Sequence, residues 1–109
     1  MNRKSYSSDR ELIEGCIRND RKAQRELFKR YRDRVFRLIA RLIREEYDRD
    51  EILQKTFISI FESLKRFKRE SSLDTWIYSI TTRVCMDRLR KAYKKNIISL
   101  SQEPEESMD

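Results

Sequence analysis

The sequence predicts an all-α protein, a compact bundle of about four helices that ends in a flexible acidic tail. One Gly and one Pro in 109 residues leave almost no material for tight hairpins. Arg, Lys, Glu, Leu and Ile are abundant, and most of these residues favour helices. Apolar residues recur three and four positions apart, which is the spacing of one helical face. The ten Phe and Tyr residues and the single Trp follow the same period, so we expect a thin, aromatic core.

The first two helices are predicted over residues 9–18 and 20–46. Ser8 and Glu11 have the spacing of a capping box, in which each side chain binds the other residue's backbone amide. Asp20 is placed to cap the second helix, whose apolar residues step by four or three along one face. We therefore expect a short helix followed by a long one with a wide apolar stripe.

The third and fourth helices are predicted over residues 48–66 and 72–95. Each begins with a capping side chain that an acid follows three positions later, namely Asp48 with Glu51 and Ser71 with Asp74. Trp76 lies beside the apolar stripe of the fourth helix. We expect this side chain to pack into the core rather than to serve as a stacking platform for bases, because its neighbours at helical spacing are aliphatic.

The domain organisation follows from these elements and from the composition of the two ends. Residues 1–8 are predicted to be a flexible N-terminus, residues 9–96 one helical domain, and residues 97–109 the start of an interdomain linker. Asn96 is expected to end the fourth helix. The segment after it contains several serines, four acids and the only Pro, which is typical of a tether.

The charge distribution indicates a polyanionic partner. The net charge is +7, but residues 101–109 carry four acids and no Lys or Arg, so residues 1–100 hold +11. A basic body with an acidic tail favours nucleic acid over an anionic membrane as the partner. The simpler alternative is a well-solvated basic surface without a specific ligand.

Several classes of function are disfavoured by what the sequence lacks. The chain has no His, and its two cysteines, Cys16 and Cys85, form no CxxC pair, so a zinc finger is excluded and a disulfide framework is not expected. Without an imidazole or an activated thiol, an enzyme is not expected, and no cofactor is implied. No window approaches the about 20 apolar residues of a membrane span. These features predict a cytoplasmic protein that does not insert into membranes, with both cysteines as apolar fillers.

An acidic and polar patch at the start of the third helix is one candidate binding surface. Asp50 and Gln54 lie four apart and so share an exposed face, and Glu51 lies next to Asp50. Acids at a helix N-terminus are also stabilised by the helix dipole, so helix capping explains the carboxylates equally well. Gln54 has no such reason to be in the second turn. A partner that presents Arg would fit this face.

A basic loop and the helix after it form the second candidate surface. From Lys65 to Lys95 the chain has ten Lys or Arg and three acids. Arg83, Arg90 and Lys94 fall on one side of the fourth helix and are spaced to follow phosphates, although Asp87 interrupts them. The two adjacent serines of the loop suit recognition of an unpaired base, and simple helix capping is an equally good explanation of them.

The order of these features resembles the sigma-70 family of bacterial transcription initiation factors, specifically region 2 of its extracytoplasmic-function subgroup. The resemblance covers residues 9–95. It rests on three stretches of the sequence, DRELIEGCIRNDRKAQRELFKRYRDRVFRLI, DRDEILQKTFISIFESLKRF and KRESSLDTWIYSITTRVCMDRLRK. The last stretch combines a basic loop with paired serine, Thr-Trp, an aliphatic-Tyr step and Asp-Arg-Leu-Arg.

The resemblance implies two sets of site residues. Those that would bind the clamp coiled-coil of the largest RNA polymerase subunit are Asp50, Glu51, Gln54 and Phe57. Those that would recognise and melt the promoter −10 element, with one nontemplate base flipped into the loop, are Lys65, Arg66, Phe67, Lys68, Arg69, Glu70, Ser71, Ser72, Arg83, Arg90 and Lys94. Family members are also commonly inhibited by anti-sigma factors, so such a factor is an expected partner.

The chain departs from the family pattern in two ways. Arg83 stands where the subgroup often has Asn, so the preferred −10 bases do not carry over. The family's second DNA-binding domain, region 4, is missing, and we expect the chain to be one domain of a longer protein rather than a natural short relative. Two alternatives remain, a helical module that binds an acidic regulator without touching DNA, and a generic helix-turn-helix repressor. The repressor is disfavoured because no short Gly-containing turn joins two short helices.

Overall fold

A computed structural model describes residues 8–102. Within this range the chain forms four α-helices, α1 (Asp9–Ile17), α2 (Arg21–Leu42), α3 (Glu46–Ser63) and α4 (Leu73–Gln102), with a 3-10 turn at Leu64–Arg66. The predicted all-α bundle of about four helices is therefore confirmed. The flexible N-terminus and the acidic tail predicted from the sequence fall almost wholly on residues 1–7 and 103–109, which lie outside the described residues.

The first two helices begin where their caps were predicted. The backbone amide of Glu11 donates to Ser8 Oγ at 3.2 Å, and the amide of Lys22 donates to Asp20 Oδ1 at 3.0 Å. Asn19 between the helices has a φ of 65°, a left-handed conformation that asparagine tolerates better than most residues. The capping chemistry in the sequence thus sets the junction between α1 and α2.

α2 ends four residues earlier than predicted because a side chain from α3 binds its last carbonyls. Arg49 Nε donates to the carbonyl oxygen of Ile43 at 2.9 Å, and its Nη2 donates to that of Ala40 at 3.4 Å. Ile43 is extended, with φ −113° and ψ 115°. A guanidinium therefore provides the hydrogen bonds that further helical turns would have made.

The predicted starts of α3 and α4 are both corrected. α3 begins at Glu46, and Asp48 binds Arg88 of α4 instead of capping its own helix. α4 is capped by Ser72, whose Oγ accepts from the amide of Thr75 at 3.1 Å, and not by Ser71 with Asp74. Two adjacent serines offer the same capping spacing, so the sequence pattern allowed both.

α4 also continues past Asn96, where its end was predicted, to Gln102. Asn is only a moderately poor helix former, and no Gly or Pro occurs between Asn96 and Pro104. Every residue from 91 to 101 is exposed, so this part of α4 extends beyond the bundle. The linker assigned to residues 97–109 therefore begins as helix, and its role as a linker stays a prediction.

The core is aliphatic rather than aromatic. Its largest fully buried side chains are mainly leucines and isoleucines: Leu12, Leu27, Ile39, Ile43, Ile52, Ile60, Leu64 and Leu73. Tyr31 and Phe57 are the buried rings, while most other aromatic side chains of the described residues pack at the edge or are exposed. Thr56 and Thr81 are fully buried, and each donates its hydroxyl to the carbonyl four residues earlier at 2.8 Å.

Candidate nucleic-acid and polymerase interfaces

The loop between α3 and α4, residues 67–72, is held at its first residue by an aromatic pair. The rings of Phe67 and Trp76 lie 4.8 Å apart at 31°, and both are half-buried against the core. The amide of Phe67 donates to the carbonyl of Leu64 at 3.1 Å, which closes the 3-10 turn. Trp76 is therefore an anchor of the loop at the edge of the core, close to its predicted role.

The two serines of the loop have different tasks. Ser72 Oγ accepts from the amide of Thr75 and donates to Thr75 Oγ1 at 3.0 Å, so the cap occupies this hydroxyl. Ser71 Oγ donates to the carbonyl of Ser72 at 3.2 Å, and its lone pairs stay available to a donor from a ligand. Of the two hydroxyls, that of Ser71 is better placed for recognition.

Six side chains form a shallow concavity of about 220 Å³ beside this loop, namely Arg66, Phe67, Lys68, Glu70, Ser71 and Trp76. Five of them belong to the predicted DNA-binding set. The concavity is smaller than the about 300–1,000 Å³ of sites for drug-sized ligands, so it suits a single flat group. It combines a carboxylate and a hydroxyl with cations at the rim, and Arg69 adds a further exposed cation with a φ of 62°.

The cations of α4 lie on the side of the helix that also carries Trp76. Arg83, Arg90 and Lys94 are all exposed and follow Trp76 at steps of seven, seven and four. Arg90 Nη1 binds Asp87 Oδ1 at 3.0 Å, so its charge is partly neutralised. Arg83 and Lys94 have no ion pair within residues 8–102. The structure thus aligns these three predicted residues with the loop concavity, with the charge strongest at Arg83 and Lys94.

On α3, the predicted polymerase-binding residues divide into an exposed group and a buried one. Asp50, Glu51 and Gln54 are exposed, and Glu51 binds Lys55 at 3.3 Å and Arg88 at 3.7 Å. Phe57 is only 4% exposed, and its ring packs edge-on against Phe28 at 4.8 Å. A direct contact from Phe57 to a partner is therefore not supported, because helical spacing turns this side chain into the core.

Two apolar side chains on the exposed face of α3 were missed in the sequence. Tyr47 is 83% exposed and Ile58 is 54% exposed. With Glu51 and Gln54 they follow steps of four, three and four, so the four residues form one ridge. Their spacing with Glu51 and Gln54 was visible in the sequence, but single exposed apolar residues are ordinary on protein surfaces, so it gave no strong signal.

Burial makes both thiols unreactive. Cys85 is fully buried and Cys16 is 5% exposed, and both are free cysteines. Burial, aided by the nearby Asp20 carboxylate, raises the pKa of Cys16 to about 11, and burial also raises the pKa of Cys85. The structure therefore places both as apolar fillers, as predicted.

Residues 8–102 contain neither a cluster of side chains suited to a metal ion nor a helix that has the length and hydropathy to cross a membrane.

Comparisons with known proteins give a consistent assignment. The Sigma-70 region 2 family matches residues 27–95. The ECF RNA polymerase sigma factor SigM of Mycobacterium tuberculosis (strain ATCC 25618 / H37Rv) is 32% identical over 85 residues, which are 78% of this chain and 43% of SigM. The ECF RNA polymerase sigma-E factor of Haemophilus influenzae (strain ATCC 51907 / DSM 11121 / KW20 / Rd) is 30% identical over 82 residues, 75% of this chain and 43% of that protein. The chain thus spans less than half the length of these relatives.

A solved structure agrees with the observed fold. It is the NMR structure of an engineered region 2 of sigmaE in complex with GTAAAA, with a TM-score of 0.73 and 25% identity, covering 87% of this chain and 97% of that one. The family match spans more than half of the chain and includes the loop and both candidate surfaces. The chain therefore belongs to the sigma-70 region 2 family, in its extracytoplasmic-function subgroup.

Proposed function

We propose that this domain is a non-enzymatic, cytoplasmic promoter-recognition module that binds the −10 element and works when it is docked on RNA polymerase. The observation that carries the proposal is the concavity at the loop, where Ser71 and Glu70 lie beside an aromatic floor and a cationic rim. The complex of the similar engineered region 2 with GTAAAA supports DNA as the ligand.

In the proposed mechanism a base of the nontemplate strand leaves the stack and enters the concavity. Unstacking a base costs a few kcal/mol, which hydrogen bonds to its edge and contact with aromatic rings must offset. The carboxylate of Glu70 and the lone pairs of Ser71 Oγ both accept hydrogen bonds from donors on the base edge. Lys65, Arg66, Lys68 and Arg69 neutralise the phosphates around it, which positions the strand without specifying its sequence.

Arg83, Arg90 and Lys94 continue the phosphate contacts along α4. Because they lie on the side of α4 that carries Trp76, a strand held at the loop reaches them without crossing the core. Each exposed cation adds to binding mainly through the release of counterions, so binding weakens steeply as salt rises.

For polymerase docking we propose the ridge of α3 formed by Tyr47, Glu51, Gln54 and Ile58, together with the adjacent Asp50. Arg88 binds Glu51 from α4, and Lys55 flanks it, so Glu51 is held in place before a partner arrives. Asp50 and Gln54 have no side-chain partner in residues 8–102 and are free to bind an arginine. Tyr47 and Ile58 add apolar contact area at either end of the ridge.

The DNA part of the proposal is tested with single-stranded GTAAAA and the scrambled hexamer AAGATA. Fluorescence anisotropy at low salt should show tighter binding of GTAAAA, and Ser71→Ala should reduce that preference. Ser99→Ala, an exposed serine far along α4, is the matched control. Equal affinity for the two hexamers would contradict recognition of bases at the loop.

The docking part is tested by titrating a clamp coiled-coil fragment of polymerase with Asp50→Lys. Asp50 has no partner in the described structure, so this change reverses charge without breaking a contact. Glu62→Lys, at another exposed acid near the end of α3, is the control. Loss of binding with Asp50→Lys alone supports the ridge, whereas unchanged binding would remove it from the proposal.

A second candidate, binding of an acidic regulator of the anti-sigma type, is favoured by a separate surface. An apolar stripe, between 38% and 70% exposed, runs along the C-terminal half of α4 and consists of Met86, Leu89, Tyr93, Ile97 and Leu100. Lysines flank the stripe, so an amphipathic helix with acidic flanks fits it best. Leu89→Ser with Tyr93→Ser should weaken binding of a designed Leu/Glu helix, and a Leu/Lys helix should not bind the wild type.

A further inference from the structure

One exposed side of α2 carries four arginines that the proposed function does not use. Arg30, Arg34, Arg37 and Arg41 follow one another at steps of four, three and four and therefore share one side of the helix. All four are exposed. At 1.5 Å per residue the set is about 16 Å long. These four residues are called the arginine row below.

Half of the arginine row is not engaged in any ion pair within the protein. Arg30 binds Glu26 at 2.8 Å and Arg34 binds Asp74 at 2.7 Å. Arg37 and Arg41 have no ion pair among residues 8–102. Because exposed pairs contribute little to folding, the stability of the bundle gives no reason for four aligned arginines.

The arginine row begins next to the DNA-binding loop. A concavity of about 370 Å³ is lined by Asp9, Arg30, Tyr31, Arg34, Ser72 and Asp74. It joins the last residue of the loop to the first two arginines, across the Arg34–Asp74 pair. The loop and the row therefore belong to one continuous surface.

An exposed tyrosine lies across a groove from Arg34, one member of the row. The groove between α2 and α4 has a volume of about 190 Å³, and Arg34, Leu38, Tyr78 and Thr81 are among its lining residues. Tyr78 is 55% exposed. Cations that follow a backbone, next to an aromatic ring on which a base can stack, are the combination found in paths for single-stranded nucleic acids.

We propose that the arginine row binds the phosphates of single-stranded promoter DNA that extends beyond the bases held at the loop, with Tyr78 as a stacking platform. The proposal rests on the proposed function, since the row continues a DNA path only if the loop holds DNA. At about 3.4 Å of axial rise per phosphate of a stacked strand, the row corresponds to roughly five nucleotides. An acidic protein is the competing ligand for the same charges.

The test compares the variant Arg37→Gln/Arg41→Gln with the control Arg21→Gln/Arg25→Gln. Both pairs lie on α2, are exposed, are four apart, have no ion pair in the described residues and change the charge equally. The control arginines lie on another side of the helix. The probes are GTAAAA alone and two extended versions of it, one with about ten thymidines added at the 5′ end and one with about ten added at the 3′ end. Each is titrated by anisotropy over a series of KCl concentrations.

We expect the row variant to bind GTAAAA as the wild type does. For the extended oligonucleotide whose thymidines reach the row, the slope of log K against log salt should become shallower by about 1.4. This value corresponds to two phosphate contacts at about 0.7 each for a single strand. Tyr78→Ala should weaken binding of the same oligonucleotide by at least about fivefold. The control pair should change the slope much less.

Three outcomes would overturn the proposal. Equal changes in the row variant and the control would mean that only overall charge matters, and an unchanged slope would mean that DNA does not reach the row. Weaker binding of poly-L-glutamate, with DNA binding intact, would assign the row to an acidic protein. A failure of the proposed function looks different, because the wild type would then bind GTAAAA and AAGATA equally whatever the row does.

Discussion

Replacement of Phe67 by alanine should destabilise the domain and also impair DNA binding by the molecules that remain folded. The Phe67 ring is half-buried and lies 4.8 Å from the ring of Trp76. Truncation of a fully buried Phe costs about 3–5 kcal/mol, so a half-buried ring should cost about half of that. The aromatic pair adds about 0.5–1.5 kcal/mol. We therefore expect a loss of about 2–4 kcal/mol in the free energy of unfolding.

Phe67→Leu separates the two contributions. Leucine retains most of the apolar contact and loses the ring pair, so this variant should lose only about 1 kcal/mol. Tyr47→Ala removes a ring that is 83% exposed and should change stability by less than about 0.5 kcal/mol. The loss of stability should therefore be largest for Phe67→Ala, smaller for Phe67→Leu and smallest for Tyr47→Ala. This order is a stricter test than any single value.

Urea denaturation followed by far-UV circular dichroism measures these differences, and Trp76 provides an independent fluorescence signal as the only tryptophan. At a slope of about 2 kcal/mol per molar urea, the middle of the usual range, the Ala variant should unfold at roughly 1–2 M lower urea. Binding of GTAAAA is then measured without urea. A Phe67→Ala protein as stable as the wild type would refute the packing argument. A destabilised variant with normal binding would show that the ring pair does not hold the loop in its binding conformation.

The remaining predictions concern the contacts between helices, the buried ionisable groups and the end of α4. Arg88→Gln should cost about 1–2 kcal/mol in urea unfolding, because it leaves the carboxylate of Asp48, whose side chain is 15% exposed, without its cation; an unchanged midpoint would contradict this. Burial raises the pKa of Cys16 and, together with a hydrogen bond to Asp74, that of Tyr31. The native state keeps these protons when the unfolded chain has lost them, so stability should fall as the pH rises above about 9; a flat profile from pH 8 to 11 would be inconsistent with their burial. Asn96→Pro should shorten α4 in a circular dichroism spectrum without lowering the unfolding midpoint, because residues 91–101 are exposed; a large drop in midpoint would show that this segment packs on the bundle.

The elements of the fold were predictable from local signals, and the errors arose where a distant residue decided the outcome. Ser8 and Asp20 cap their helices as their spacing indicates, since a cap involves only neighbouring residues. Asp48 has the same spacing, but it binds Arg88, which is 40 residues away in the chain. The early end of α2 likewise depends on Arg49, whose guanidinium returns to carbonyls six and nine residues before it. A side chain that ends or caps a helix from a different element produces no periodic pattern in the sequence, so such contacts could not be predicted.

The candidate sites were predictable as sets of residues but not in their internal arrangement. A basic loop next to a Trp is visible in the sequence, whereas the pairing of Phe67 with Trp76 and the use of Ser72 as the cap are not. Phe57 was placed among the polymerase-binding residues by the family pattern, although its position on α3 buries it. The regular spacing of the arginine row was visible in the sequence, but its continuity with the loop appears only when α2 and α4 are packed together.

Because α4 is one unbroken helix, the directions of all its side chains are fixed relative to one another. Its 30 residues form one helix of about 45 Å with the loop at its start. One inserted residue would rotate all later side chains by about 100° and shift them by about 1.5 Å. An insertion after Cys85 would therefore leave Arg83 facing the loop side while turning Arg90 and Lys94 away. A seven-residue insertion, close to two full turns, would restore their direction, so tolerance to insertions in α4 should be periodic rather than graded with length.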